Sequence, residues 1–393
     1  MPINMLKRIR VKNFKSLEDT DINFSKNSFL IGMNGTGKST ILQAIDFLSA
    51  ISLGEVEEWL SARGWFKKDL TFYGNKKLII DIRVEFELEG VTYFWIILFN
   101  SQTLKSTKEL IIKRTIDSED RTILGLINGY YSINEAKREK INFNYKGSIL
   151  SALKSDILGD ELNSIQHFFN EIRSAELLSP ILMKKRAREA KDGIGLGGEK
   201  LSAFLNALSR DKKEILQKEL KNFFPHINSF ETSSLRSGWK KLSLVENHNN
   251  KIIETDSMHL SDGVLRILAI LAQLLTTNSI LIFDEIEDGI NQEFVEKLVD
   301  TLVESPHQTL VATHSPLLLN YLEDDIARES ILFVYKTKNG GTKVENFFEI
   351  IEKYGNISEH EYDLFGAGEL MQRVNLLELS DKLSKEENRE DSH

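Results

Sequence analysis

Residues 32 to 39 read Gly-Met-Asn-Gly-Thr-Gly-Lys-Ser, the form GxxxxGK[ST]. These residue types at this spacing bind a polyphosphate. A glycine-rich loop turns its backbone N–H groups inward on phosphate oxygens. Gly32, Gly35 and Gly37 allow the dihedrals and the close approach that a Cβ blocks. Lys38 can reach the β- and γ-phosphates, and the Ser39 hydroxyl can ligate Mg²⁺. The flanks agree. Phe29-Leu30-Ile31 is a short apolar strand before the loop, and Thr40-Ile41-Leu42-Gln43-Ala44-Ile45 begins a helix after it, so phosphates would sit at a helix N-terminus.

Such a loop needs a metal-orienting acid from another strand. Ile280-Leu281-Ile282-Phe283-Asp284-Glu285 supplies one: a buried apolar strand ending in Asp284, which can hold Mg²⁺ directly or through water. Glu285 follows, where it can polarise an attacking water as general base. Leu260-Ser261-Asp262-Gly263 opens an apolar helix. A Ser hydroxyl and backbone N–H groups there make an anion site, although plain N-capping by Ser261 or Asp262 gives the same pattern. Thr313-His314-Ser315-Pro316 follows the apolar Thr309–Thr313 strand. His314 thus ends a strand where active-site residues of open α/β sheets gather, and it can hydrogen-bond a γ-phosphate.

The positioning elements follow from pattern. Two strands are expected in residues 5–31, Leu6 to Phe14 and Phe24 to Ile31. A helix runs from Ser39 to about Ala50. Residues 78–100 read as a hairpin around Gly90, and residues 106–131 extend the same antiparallel sheet. Residues 133–224 turn charged and helical, with breaks at Pro180 and at Gly193–Gly198. Leu201–Leu208 and Ile215–Phe224 are amphipathic. This stretch holds the dense basic cluster Lys184, Lys185, Arg186, Arg188 and Lys191, either a solvated helix face or a phosphate-backbone contact. From Trp239 strands and helices alternate, which calls for a parallel sheet. Leu383–His393 is polar and expected to be disordered.

Composition sets bounds. The 393 residues are 41% hydrophobic and 28% charged, as in ordinary globular chains. The absence of cysteine excludes disulfides, Cys-ligated zinc and cysteine nucleophiles, and fits a reducing cytoplasm. The first ten residues contain no signal-peptide core. Polar residues interrupt the most apolar stretch, Val264–Phe283, so no membrane span is expected. A formal charge of −9 gives no global field for nucleic acid, so any such contact needs a local patch.

In order and wording these motifs resemble an ABC-type ATPase of the RecF, OLD and structural-maintenance-of-chromosomes branch. GMNGTGKST matches its Walker A form, LSDG its shortened signature, ILIFDE its Walker B with catalytic Glu, and THSP its His switch. Val11-Lys12-Asn13-Phe14-Lys15-Ser16-Leu17 matches its "NFKSL" strand. The resemblance covers residues 5–55 and 255–320. It implies an α/β P-loop ABC-type ATPase fold with a mixed sheet, an antiparallel β arm and an inserted helical lid. The parts would be 1–132 and 239–345 for the ATPase domain, 133–238 for the lid, and 346–393 for a C-terminal helical segment and polar tail.

The resemblance also implies ATP and Mg²⁺ as ligands. Asn34, Gly35, Thr36, Gly37, Lys38, Ser39 and Thr40 would hold the nucleotide, with Ser39 and Asp284 on the metal. Glu285 would activate water, and His314 would sense the γ-phosphate. Ser261 and Gly263 would complete the site of a second copy, giving a homodimer or higher homo-oligomer that sandwiches ATP and opens after hydrolysis. Asp262 stands where transporters have Gly and either weakens closure or caps the helix. Asn291 stands where the D-loop Asp is usual. For the Q-loop glutamine only Gln102 and Gln166 offer themselves.

The stand-alone ATPases of prokaryotic defence operons (Septu, retron-associated, AbiL-like and PARIS-type) are similar in the signature region and the Glu285–Gly289 stretch. They imply a switch over a separate nuclease or toxin. About 75 residues follow Pro316, too few on usual domain sizes for a Toprim nuclease. A RecF-like repair ATPase that binds DNA is the alternative, and a structural ATP switch with little turnover is another.

Overall fold

The computed structural model describes residues 4–73, 75–115, 119–190, 193–249, 251–276, 279–355, 357 and 364–390, the last three of these by backbone alone. β1 (Met5–Phe14), β2 (Leu17–Asn23) and β3 (Asn27–Ile31) precede the phosphate loop, and α1 (Lys38–Leu53) and α2 (Val56–Ala62) follow it. A meander comes next: β4 (Ile79–Leu88), β5 (Val91–Asn100), β6 (Lys105–Lys113), β7 (Arg121–Ile127), β8 (Tyr130–Ile133) and β9 (Glu139–Lys140). After α3 (Ser155–Asn170) and β10 (Arg173–Ala175) come α4 (Pro180–Met183), α5 (Leu201–Ala207) and α6 (Arg210–Phe223). They lead to β11 (Ile227–Ser234), β12 (Lys240–His248) and β13 (Lys251–Asp256). Then follow α7 (Asp262–Leu274), β14 (Ile280–Asp284), α8 (Gln292–Glu304), β15 (Gln308–Ala312), α9 (Pro316–Asn320), α10 (Asp324–Ser330), β16 (Ile331–Lys336) and β17 (Thr342–Asn346). The chain closes with α11 (Phe347–Tyr354), α12 (Ala367–Arg373) and α13 (Leu376–Glu390).

The core sheet has the order β10-β14-β15-β3-β16-β17, parallel except for β17. Its central strands are short apolar runs because both faces are covered. Period-two alternation sends Leu30, Ile280, Ile282 and Leu310 into one apolar cluster, and Phe29, Ile31, Leu281, Phe283 and Val311 into another. The first cluster is shared with α1 and an eight-stranded antiparallel sheet, ordered β2-β1-β4-β5-β6-β7-β8-β9. α1 is therefore buried all round from Ile41 to Ser52. The second cluster is closed by α7, α8 and α11. β11, β12 and β13 form a small separate sheet.

Residues 5–31 hold three strands rather than the expected two. Leu17–Asn23 pairs with β1, and the strand expected from Phe24 begins only at Asn27. Ser25 makes the break, with its N–H on Ser28 Oγ at 3.1 Å and its own hydroxyl on the Asn27 carbonyl. The stretch expected to be a helical insertion, 133–238, does carry helices. It also gives β10 to the core sheet and β11 to the small one. The polar tail expected to be disordered from Leu383 is instead helical to Glu390. Leu379 and Leu383, one turn apart, are buried there, and Tyr354 donates to Glu386. Residues 391–393, like Lys191 of the basic cluster, lie outside the described residues. No helix among the described residues is long and apolar enough to cross a membrane.

Candidate nucleotide site

The phosphate loop joins β3 to α1 at the C-terminal edge of the parallel sheet, the edge where such sheets bind ligands. Gly37 caps α1 with φ 113°, in the left-handed region. A Cβ there would come within 2.3 Å of Thr342 Oγ1 and 2.9 Å of Ser16 Oγ. No side chain caps α1, and its first turn carries no acid, so its leading N–H groups are left to an outside acceptor. Lys38 Nζ lies back on the loop, donating to the carbonyls of Gly32 at 2.9 Å and Met33 at 3.2 Å. Burial lowers its proton affinity, while Asp284, Glu285 and Glu287 hold it up. A glycine cradle, an uncapped helix start and a poised lysine fit a polyphosphate.

Asn34 and Gly35 are exposed at the loop tip. Thr36 is buried and donates to the Met33 carbonyl at 2.9 Å, and Thr40 lies in the first turn of α1. The far side of the loop is held by a residue that sequence reading missed. Thr342, wholly buried in β17, donates to the Thr36 carbonyl at 2.7 Å. Its oxygen also meets the hydroxyl of Ser16 at 2.9 Å and Nζ of Lys336 at 3.1 Å.

The acids arrive from β14 and the turn after it. Burial raises the Asp284 carboxyl above its usual range, and the Ser39 hydroxyl and the Lys38 ammonium draw it back. Ser39 and Asp284 thus share one spot, as a Mg²⁺ site requires. Among the described residues no group of three or more His, Asp or Glu could hold a metal ion. Glu285 is half-exposed at φ 48°, a strained backbone for Glu. Its carboxyl is raised by burial, then by Asp288 and Asp284, while His314 opposes the shift. His314 Nδ1 stands 3.7 Å from Glu285 Oε1 and 3.6 Å from Glu287 Oε1.

Glu287 ties the two strand ends together. Its Oε1 accepts from the Thr313 hydroxyl at 2.6 Å and the His314 N–H at 3.3 Å, while the buried Oε2 has no partner. The strand end beside Asp284 carries no glutamine. Ala175 of β10 pairs with Phe283, so Glu176 comes level with Asp284. The Glu176 side chain is 1% exposed. It is bound by Arg63 at 3.0 Å, and Arg63 in turn holds Asp46 of α1 at 2.6 Å. Burial pushes Glu176 up to about 7, against the pull of Arg63. Gln102 lies in an exposed turn after β5, and Gln166 on α3 donates to the Leu150 carbonyl, so neither reaches the site.

Ser261 and Gly263 are not brought to this cluster among the contacts of the described residues. Ser261 is the N-cap of α7, accepting from the Val264 N–H at 3.4 Å. Asp262 is not the cap and is bound by Lys184 of the basic cluster at 2.9 Å. Gly263 is required by a close approach, since a Cβ would stand 2.7 Å from the Gly289 carbonyl. Arg188 lies over the Trp239 ring at 4.8 Å, so part of the basic cluster is spent inside the fold.

The chain is similar to several known proteins. A family model described as "AAA domain, putative AbiEii toxin, Type IV TA system" matches residues 28–320. Over 84 residues the chain is 40% identical to the OLD nuclease of Thermus scotoductus, a match that covers 21% of this chain and 15% of that protein. The chain thus spans a small part of that relative. Over 398 residues it is 23% identical to an ATP/GTP phosphatase of Helicobacter pylori, covering 92% of this chain and all of that one. Its fold is similar to the Smc head domain with an extended coiled coil, bound to the C-terminal domain of ScpA, from Pyrococcus furiosus. The TM-score is 0.51 at 16% identity, over 89% of this chain and 99% of that one.

Proposed function

This chain belongs to that AAA-domain family, and from that premise we propose that it is an ATPase of the RecF, Rad50 and OLD type, working as a dimeric switch driven by ATP binding and hydrolysis. Two copies sandwich ATP head to tail, each offering Ser261 and Gly263 to the nucleotide of the other. The exposure of the α7 N-terminus carries this reading. Ser261 and Asp262 face solvent, and Asp262 is bound by Lys184 rather than by the nucleotide loop. A phosphate that meets them comes from a second copy.

Within each site Lys38 neutralises the β- and γ-phosphates. Glu285 takes a proton from water as the water oxygen attacks the γ-phosphorus, and the bond to the ADP oxygen breaks. Its raised proton affinity suits that task. His314 donates to the γ-phosphate and is aligned by Glu287 through its own N–H and Thr313. Mg²⁺, held by Ser39 and Asp284, would neutralise phosphate charge. On this reading the nucleotide motifs lie in 1–132 and 239–345, while 133–238 adds β10 to their sheet and α11 covers one face of it.

The switch, on this reading, holds or releases a separate nuclease or toxin in prokaryotic antiphage defence, in the cytoplasm. The toxin–antitoxin description of the family and the OLD nuclease among the relatives support this role. A RecF-like repair ATPase is the second reading, favoured by the exposed Lys185 and Arg186. A switch with little turnover is the third, favoured by the acid Asp262 at the helix end that faces phosphate.

The test is Glu285→Gln, recovered from its native host with ATP and Mg²⁺. The variant should bind ATP, stall before hydrolysis and persist as a dimer that carries a stoichiometric second protein. Hydrolysis at the wild-type rate would place the general base elsewhere. Nucleic acid without a second protein would favour the repair reading.

A further inference from the structure

The connection from α2 to β4 exposes two rings among lysines. Phe66 is 69% exposed and Tyr73 95% exposed. Lys67, Lys68, Lys76 and Lys77 lie in the same stretch against a single acid, Asp69. In a chain of formal charge −9 this is a local excess of positive charge. Lys68 Nζ sits 5.6 Å from the Phe66 ring centre, so ring and ammonium share one surface.

This surface is held rigidly outward. Asn13, at the end of β1, grips it from beneath. Its Oδ1 accepts from the Phe72 N–H at 3.2 Å and Asn75 Nδ2 at 3.0 Å. Its Nδ2 donates to the carbonyls of Lys77 at 2.9 Å and Ile79 at 2.8 Å. The Lys15 N–H donates to the Leu70 carbonyl at 3.0 Å, and Lys15 Nζ lies 3.3 Å from the Trp65 ring centre. The inner residues of the segment therefore pack, while Phe66 and Tyr73 do not. Two large rings are thus left in water in a stretch rich in lysine, each able to meet a flat partner.

The chemistry selects the partner. A fixed ring offers a stacking platform to any flat base, and neighbouring ammonium groups take the phosphates. Duplex DNA hides its base faces and would use only the lysines. We propose that residues 64–73 and 75–79 bind single-stranded nucleic acid, with Phe66 and Tyr73 stacking bases and Lys68, Lys76 and Lys77 on the backbone. The nucleotide loop lies next door. Ser16, the residue after Lys15, bonds Thr342 at 2.9 Å, and Thr342 in turn holds Thr36. The inference goes beyond the switch reading and needs neither dimer nor effector.

The test is fluorescence anisotropy on the full chain, with labelled oligo(dT) of about 20 nucleotides and a duplex of equal length. Oligo(dT) should bind more tightly than the duplex. Phe66→Ala and Tyr73→Ala should each weaken oligo(dT) binding by roughly 5- to 100-fold. The Lys76→Ala/Lys77→Ala pair should reduce the slope of log affinity against log salt by about 1.4, at about 0.7 per phosphate contact on a single strand. ATP affinity, measured on the same variants, should stay at wild type and certify the fold. Tighter duplex binding, ring variants that bind oligo(dT) like wild type, or no binding at all would overturn the proposal. So would ring variants that change only the oligomeric state, which would make this face a protein contact.

Discussion

Thr342→Val removes one hydroxyl from a buried β-branched side chain of similar shape. That hydroxyl has a single hydrogen, which goes to the Thr36 carbonyl at 2.7 Å, so Ser16 must donate to it at 2.9 Å and Lys336 Nζ at 3.1 Å. Valine leaves three partners short. Lys336 keeps the Gly340 carbonyl at 2.9 Å, and the partly exposed Ser16 can turn to water. Thr36 is buried and cannot. The loss is therefore dominated by one buried bond, about 1–2 kcal/mol. In a chain of this size that lowers Tm by roughly 1–2.5 °C. Thr36 belongs to the phosphate loop, so the bond also fixes the backbone that must wrap phosphate. If about 1 kcal/mol of it is needed in the bound state, the Kd for ATP rises about fivefold. Titration calorimetry with a non-hydrolysable ATP analogue, paired with scanning calorimetry, reads both quantities. Thr342→Ser keeps the hydroxyl and should recover most of the affinity. A Val variant that binds the analogue as tightly as wild type would refute the idea that β17 braces the loop.

Lys38→Ala should abolish nucleotide binding, since the ammonium meets phosphate charge within reach of three acids; a fluorescent ATP analogue bound near wild-type affinity would contradict the site. Ser261→Arg should spare ATP binding by the single chain and block the ATP-dependent dimer, read by light scattering; dimerisation indifferent to both would point to another interface. Glu176 predicts a pH dependence. Its proton affinity is raised in the fold to about 7 from an ordinary 4.5, so between those values the folded chain keeps a proton that the unfolded chain has lost. Stability must then fall as pH rises through that window, by at most roughly 3 kcal/mol. Glu176→Gln should flatten that slope in urea unfolding between about pH 5 and about pH 8, and parallel slopes in variant and wild type would exclude Glu176 as its origin.

The sequence spelled out those parts of the fold and site whose physics is local. The phosphate loop, the strand ending in Asp284 and the strand ending before His314 each need only a short apolar run and a few adjacent residues. β2 escaped because Glu18, Asp19 and Asp21 dilute the pattern of Leu17, Thr20 and Ile22, which is held by pairing to β1. β10 is three residues without an apolar run and exists through its hydrogen bonds to β14. Glu176 takes its place from that pairing, which no spacing in the sequence announces. Glu287 was visible, yet its partner Thr313 is 26 positions away. The basic 64–79 stretch was overlooked for a denser cluster at 184–188, part of which the fold uses internally. The tail misled because its Lys and Glu outnumber the two leucines that anchor α13.

The order of strands in the core sheet has a consequence for how the protein is made. β3, emerging early from the ribosome, lies between β15 and β16, which emerge late. The Leu6 N–H donates to Gln308 Oε1 and its carbonyl accepts from Gln308 Nε2, 302 positions on, and Ser16 meets Thr342 across 326 positions. The antiparallel meander pairs neighbours in sequence and can form while synthesis continues. The phosphate loop cannot gain its flanking strands until β16 and β17 are out. Nascent chains halted before Thr342 should therefore hold a folded β arm and no affinity for ATP. The nucleotide then acts as a late seal, adding stability by mass action only once β3 has met β15 and β16 and Thr342 has reached the loop.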